Sequence, residues 1–108
     1  MEGAQKRVFV TGGNAGIGMA LCKQLASEDG CYVYMGSRSL ERGAEAIKTI
    51  VAQVPACEGK IEVVQVDVAD PASITTAAAA LKERLGSEKL YALVNNAGTG
   101  LKHNVTED

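Results

Sequence analysis

Residues 11–18 read Thr-Gly-Gly-Asn-Ala-Gly-Ile-Gly, between the apolar run Val8-Phe9-Val10 and an amphipathic stretch that opens near Ala15. A strand, a glycine-rich turn and a helix in that order form a cradle for an anion. Gly12, Gly16 and Gly18 carry no Cβ, so the backbone can turn tightly and come close to a ligand. The helix that follows aims its unpaired N–H groups and positive dipole end at the same place. The expected occupant is the pyrophosphate of a dinucleotide. The spacing is Gly-x-x-x-Gly-x-Gly, distinct from the familiar Gly-x-Gly-x-x-Gly. Taken alone, such a triad also suits an ordinary tight turn.

Downstream the chain alternates between strand and helix patterns. Strand one is expected over about 7–11 and helix one over about 15–28, with Ile17, Ala20, Leu21, Gln24 and Leu25 at helical spacing. Asp29-Gly30 breaks that helix, and strand two is Cys31-Tyr32-Val33-Tyr34-Met35. Ser39 caps a second helix whose apolar stripe is Leu40, Ala44, Ile47, Ile50, Val51 and Val54. Residues 55–60 form a polar loop before strand three, 61–66, which alternates in part and so suits a sheet edge. Asp70 with Pro71 reads as an N-cap and first helical residue. Helix three then carries Ile74, Ala77, Ala78, Leu81 and Leu85 on one side and ends at Gly86. Strand four is expected over 90–94.

Strands separated by helical crossovers imply a parallel sheet. The predicted fold is α/β, a Rossmann-type doubly wound parallel sheet with its first four strands in the order 3-2-1-4. At 108 residues the chain makes one domain at most, 1–108, expected to stop after the fourth strand. A formal net charge of −2 gives no basic footprint, so nucleic acid is not an expected partner. No apolar run approaches the roughly 20 residues of a membrane helix, so no membrane partner is expected either. Cys22, Cys31 and Cys57 lack metal-ligand spacing and read as free thiols of a reducing compartment, hence a cytoplasmic location and no metal. His103, the single histidine, lies among polar residues and reads as solvated.

The ends of the later strands carry further chemistry. An acidic residue about 20 positions after the glycine turn would accept the adenine-ribose hydroxyls of NAD. Here stands Gly36-Ser37-Arg38-Ser39. Arg38 offers a permanent charge and a fork of donors suited to a 2′-phosphate, and Ser37 or Ser39 can add a hydroxyl. The cofactor expectation is therefore NADP, with NAD second. Asp67 ends strand three, where it can accept from an adenine amino group or simply cap a turn. Asn95-Asn96-Ala97-Gly98 ends strand four with two amides and two small residues, which permits close backbone approach.

Together these segments resemble the short-chain dehydrogenase/reductase family, and within it the NADP-preferring, carbonyl-reductase-like members. The resemblance rests on residues 11–18, Arg38, Asp67-Val68 and Asn95-Asn96-Ala97-Gly98 in the family's order and spacing, and it spans nearly the whole chain. Asn14 and the string Ser39-Leu40-Glu41-Arg42-Gly43 are similar to the carbonyl-reductase branch in particular. The resemblance implies that Gly12, Asn14, Gly16, Ile17 and Gly18 meet the pyrophosphate side of the cofactor and Arg38 its 2′-phosphate. It further implies that Asp67 and Val68 hold the adenine, while Asn95, Ala97 and Gly98 floor the site. Ala15 stands where many NADP-preferring members carry a second basic residue, and Tyr91 where an Asp is common.

The same resemblance places the family's catalytic Ser, Tyr and Lys downstream of the Asn-Asn-Ala-Gly motif. Tyr32, Tyr34 and Tyr91 sit in predicted strands and none has a Lys four residues on, so no catalytic residue is assigned. The expected function is the N-terminal NADP-binding part of an oxidoreductase that moves hydride between NADP(H) and a carbonyl or alcohol. The alternative is a non-catalytic dinucleotide-binding or interaction module that associates through the open edge of strand four.

Overall fold

The computed structural model of the chain describes residues 5–96. Four parallel strands form one sheet in the order β3-β2-β1-β4. They are β1 (Arg7–Val10), β2 (Tyr32–Ser37), β3 (Ile61–Gln65) and β4 (Ala92–Val94). Helices α1 (Gly16–Ser27), α2 (Leu40–Gln53) and α3 (Pro71–Leu85) cross between them. The expected doubly wound arrangement and strand order are both present, with β3 at an edge.

Period-two alternation sends each strand's side chains to two different cores. Val8, Val10, Val33, Met35 and Ile61 pack with α1 and α2 on one face. Phe9, Tyr34, Val64 and Val66 pack with Ala77 and Leu81 of α3 on the other. Capping follows the sequence reading. The Ser39 side chain accepts from Arg42 N–H at 3.1 Å, and Asp70 Oδ1 accepts from Ala72 N–H at 3.0 Å, with Pro71 opening α3.

The helix faces differ from the expected stripes. Helix α1 buries Gly18, Cys22 and Ala26, while Ile17 is 81% exposed and Ala20 and Gln24 lie outside. Small residues win the inward positions because the helix lies close to the strands, and Leu21 and Leu25 flank the contact. Helix α2 likewise packs through Gly43, Ala46 and Ile50, with Leu40 and Ala44 exposed. A Cβ on Gly43 would stand 2.7 Å from Val63 Cγ1, so glycine is what permits this approach. On α3, Ala77 and Leu81 are buried but Ile74 and Ala78 are not.

Strand β2 runs on to Ser37 because Gly36 and Ser37 pair with Val64 and Gln65 of β3. The loop expected at 55–60 contains a 3-10 turn, Pro55–Cys57, that buries Cys57 completely. On β4, Tyr91 and Leu93 remain largely exposed. Leu93 lines an apolar groove with Phe9, Leu90, Ile74 and Leu81.

Candidate functional site

All four loops at the carboxyl ends of the strands converge on one cleft of about 520 Å³. A crevice there is where open α/β sheets bind ligands. The glycine turn contributes Gly12 and Asn14, and the β2–α2 turn contributes Ser37, Arg38, Ser39 and Arg42. Val66, Asp67, Val68 and Ala69 come from the end of β3, and Asn96 follows β4.

The glycine turn is built by tertiary contacts as well as by its own backbone. Gly12 and Gly16 adopt φ of 63° and 55°, which disfavour any side chain. A Cβ on Gly18 would collide with the Gly12 carbonyl oxygen and stand 2.5 Å from Asn96 Nδ2. Gly13 N–H donates to the Gly36 carbonyl at 3.0 Å and holds the turn against β2. Asn96 Nδ2 donates to the Gly12 carbonyl at 3.2 Å. Thr11 Oγ1 accepts from Asn96 N–H at 2.8 Å and lies within donating distance of the Val94 carbonyl, 3.3 Å away.

Electrostatics mark the cleft for an anion. The N-cap of helix α1, Ala15, offers no side-chain cap, unlike Ser39 of α2 and Asp70 of α3, and the first turn of α1 holds no acidic residue. Its first N–H groups are left for a ligand. Neither the Arg38 nor the Arg42 guanidinium has a partner among the described residues. Among the described residues, two unpaired cations thus share the cleft with one carboxylate, Asp67.

The sequence-derived residues divide by position. Gly12, Asn14, Ser37, Arg38, Asp67 and Val68 line the cleft. Gly18 lies buried behind the turn, Gly16 opens α1, and Ile17 projects into solvent. Asn95 lines the apolar groove on the α3 face. Ala97 and Gly98 lie outside the described residues. Ser37 is buried, and its hydroxyl donates to the Ser39 carbonyl at 2.8 Å and accepts from Ser39 N–H at 3.2 Å. It shapes the turn that carries Arg38. Asp67 lines the cleft, and its Oδ1 accepts from Ala69 N–H at 3.0 Å.

Arg42 and Asn96 also line the cleft; in the sequence they stand inside the motifs that carry the family resemblance but were given no binding role of their own. Arg42 lies in the first turn of α2 and lines the cleft together with Arg38, which precedes the Ser39 cap. The shifted ionisations lie elsewhere. Burial pushes the Cys22 thiol up to about 12, and burial followed by the Glu62 carboxylate holds the Tyr32 hydroxyl up to about 12.

Comparison with known proteins decides the family. The short chain dehydrogenase family model matches residues 6–108. The chain belongs to the short chain dehydrogenase family.

Among short chain dehydrogenases and reductases, a (+)-neomenthol dehydrogenase of Arabidopsis thaliana is 46% identical over 99 residues, which are 92% of this chain and 32% of the relative. The menthone neomenthol reductase structure from Mentha piperita superposes with a TM-score of 0.77 at 39% identity, covering 89% of this chain and 32% of that one. The NADPH-bound carbonyl reductase from chicken fatty liver gives 0.71 at 34% identity, covering 90% and 36%. The chain therefore spans about a third of the length of these relatives. No helix among the described residues is long and apolar enough to cross a membrane.

Proposed function

We propose that this chain is the N-terminal cofactor-binding part of an NADP-dependent oxidoreductase acting on a carbonyl or alcohol substrate. The observation that carries the reading is the pair of guanidiniums, Arg38 and Arg42, unpartnered among the described residues, where an NAD-binding domain would place an acid. NADP(H), when bound, supplies or accepts the hydride. The chain's own residues bind and orient. The uncapped start of α1 and the turn around Gly12 take the pyrophosphate, and Arg38 with Arg42 takes the 2′-phosphate. Asp67 accepts from the adenine amino group beside Val68. In this reading Ile17 borders the pyrophosphate, and Asn95, Ala97 and Gly98 floor the cofactor. The NADPH-bound carbonyl reductase is a relative with this cofactor, which supports the reading.

Proton delivery and substrate choice belong to the parent protein beyond this third of its relatives' length. A cytoplasmic location is part of the same proposal, supported by three free, buried cysteines. The second reading, an interaction module, is favoured by one observation. Leu93 on β4 is 60% exposed beside the apolar groove, so that edge can pair with other chain.

Titrating NADP+ and NAD+ against wild type and Arg38→Asp tests the cofactor reading. Wild type should prefer NADP+, and losing the contact should remove about 1.5–3 kcal/mol of that preference. The same preference in both proteins would overturn it.

A further inference from the structure

Arg38 is the residue on which cofactor choice is proposed to turn, yet nothing in its own side chain fixes where it stands. Its position is set by the peptide that carries it. That peptide is held from both sides. Ser37 and Ser39 are tied together by the Ser37 hydroxyl. From the neighbouring strand, Gln65 Nε2 donates to the Arg38 carbonyl at 3.2 Å.

Gln65 is unusual in its placement. It is exposed and ends β3, the edge strand, in register with Ser37. At the two ends of the ladder that joins β3 to β2, Lys60 O accepts from Val33 N–H and Val66 N–H donates to the Ser37 carbonyl. Backbone groups alternate in direction along a strand, so those of Gln65 face the open edge. Its side-chain amide is therefore its link to the β2–α2 turn. It does not line the cleft, so it cannot be counted as a ligand contact.

We infer that Gln65 is a positioning residue for 2′-phosphate recognition, holding the Arg38 peptide so that the guanidinium is presented to the phosphate. The inference rests on the NADP reading above. Without this bond the Arg38 peptide can turn its carbonyl to water, and the guanidinium loses its preset direction. Binding the phosphate must then order the turn, which lowers affinity for the phosphorylated cofactor alone.

The test measures dissociation constants for NADP+ and NAD+ in the intact protein as wild type, Gln65→Met, Arg38→Ala and the double variant. Met keeps the length of Gln and removes the donor. Gln65→Met should weaken NADP+ roughly two- to tenfold, the worth of one hydrogen bond, and leave NAD+ unchanged. On the Arg38→Ala background the same change should leave the ratio alone. Equal weakening of both cofactors would mean a general structural role and would overturn the inference. So would a wild-type ratio in Gln65→Met when Arg38→Ala abolishes it, and in that case the NADP reading survives. If Arg38→Ala itself keeps the wild-type ratio, both fall.

Discussion

Asn96 Nδ2 donates to the Gly12 carbonyl at 3.2 Å, joining the end of β4 to the glycine turn across the floor of the cleft. The bond holds the glycine turn and makes no contact with the β2–α2 turn that carries Arg38. Replacing Asn96 by Ala should therefore weaken NADP+ and NAD+ alike, by about 0.5–1.5 kcal/mol. Parallel titrations of the two cofactors check this. A change in their ratio would show that Asn96 acts on selectivity instead.

Gly16 and Gly18 should fail for different reasons. Gly16 sits at φ 55° with open space where a Cβ would go, so Gly16→Ala strains the backbone by about 1–2 kcal/mol. A methyl on Gly18 would drive into the Gly12 carbonyl and Asn96. Gly18→Ala must displace the turn itself, costing about 1–3 kcal/mol of stability and dinucleotide binding with it. Thermal melting and calorimetry on both variants decide the order. Wild-type cofactor affinity in a folded Gly18→Ala protein would refute the tight packing.

The open edge of β3 is guarded. Arg84 Nη1 donates to the Val63 carbonyl at 2.7 Å and pairs with Glu62 at 2.8 Å. The pair is partly exposed and adds at most about 1 kcal/mol. Its larger effect is to occupy a carbonyl that another strand would seek. Arg84→Ala should raise self-association in sedimentation more than it lowers the melting temperature. Unchanged association at matched concentration would refute this role.

Alkaline stability follows from two acids, the buried Cys22 thiol and the half-buried Tyr32 hydroxyl. The Cys22 thiol moves from 9.0 up to about 12 and the Tyr32 hydroxyl from 10.0 up to about 12, burial leading in both. Each holds its proton more tightly folded than unfolded, so stability is intact below pH 9.0 and falls as pH climbs toward 12. Melting curves across that window should show the loss, and Cys22→Ser should alter the slope. A flat profile would show that folding does not hold these two protons.

Much of the fold was legible because its signals are local. The Ser39 and Asp70-Pro71 caps, the glycine breaks and the alternation of strand and helix each depend on residues a few positions apart. The glycine turn, Arg38 and Asp67 were legible because each marks a strand's end, and strand ends meet at one edge of a parallel sheet. The inward face of α1 was not. Periodicity favours the larger Ile17 and Leu21, but the closeness of helix to sheet selected Gly18, Cys22 and Ala26. Arg42 was given no role because an arginine on a helix's first turn is ordinarily a solvated one.

The order of the elements, the parallel sheet and the anion-seeking turn were determined by the sequence alone, since caps, breakers and period act through neighbours in the chain. Which residues hold that turn and its arginine in place was decided by tertiary structure. Gln65 reaches Arg38 across 27 residues, and Asn96 reaches Gly12 across 84. A side-chain amide has no assigned partner until strand pairing brings a carbonyl within 3.2 Å of it, and no local pattern in the chain encodes that meeting.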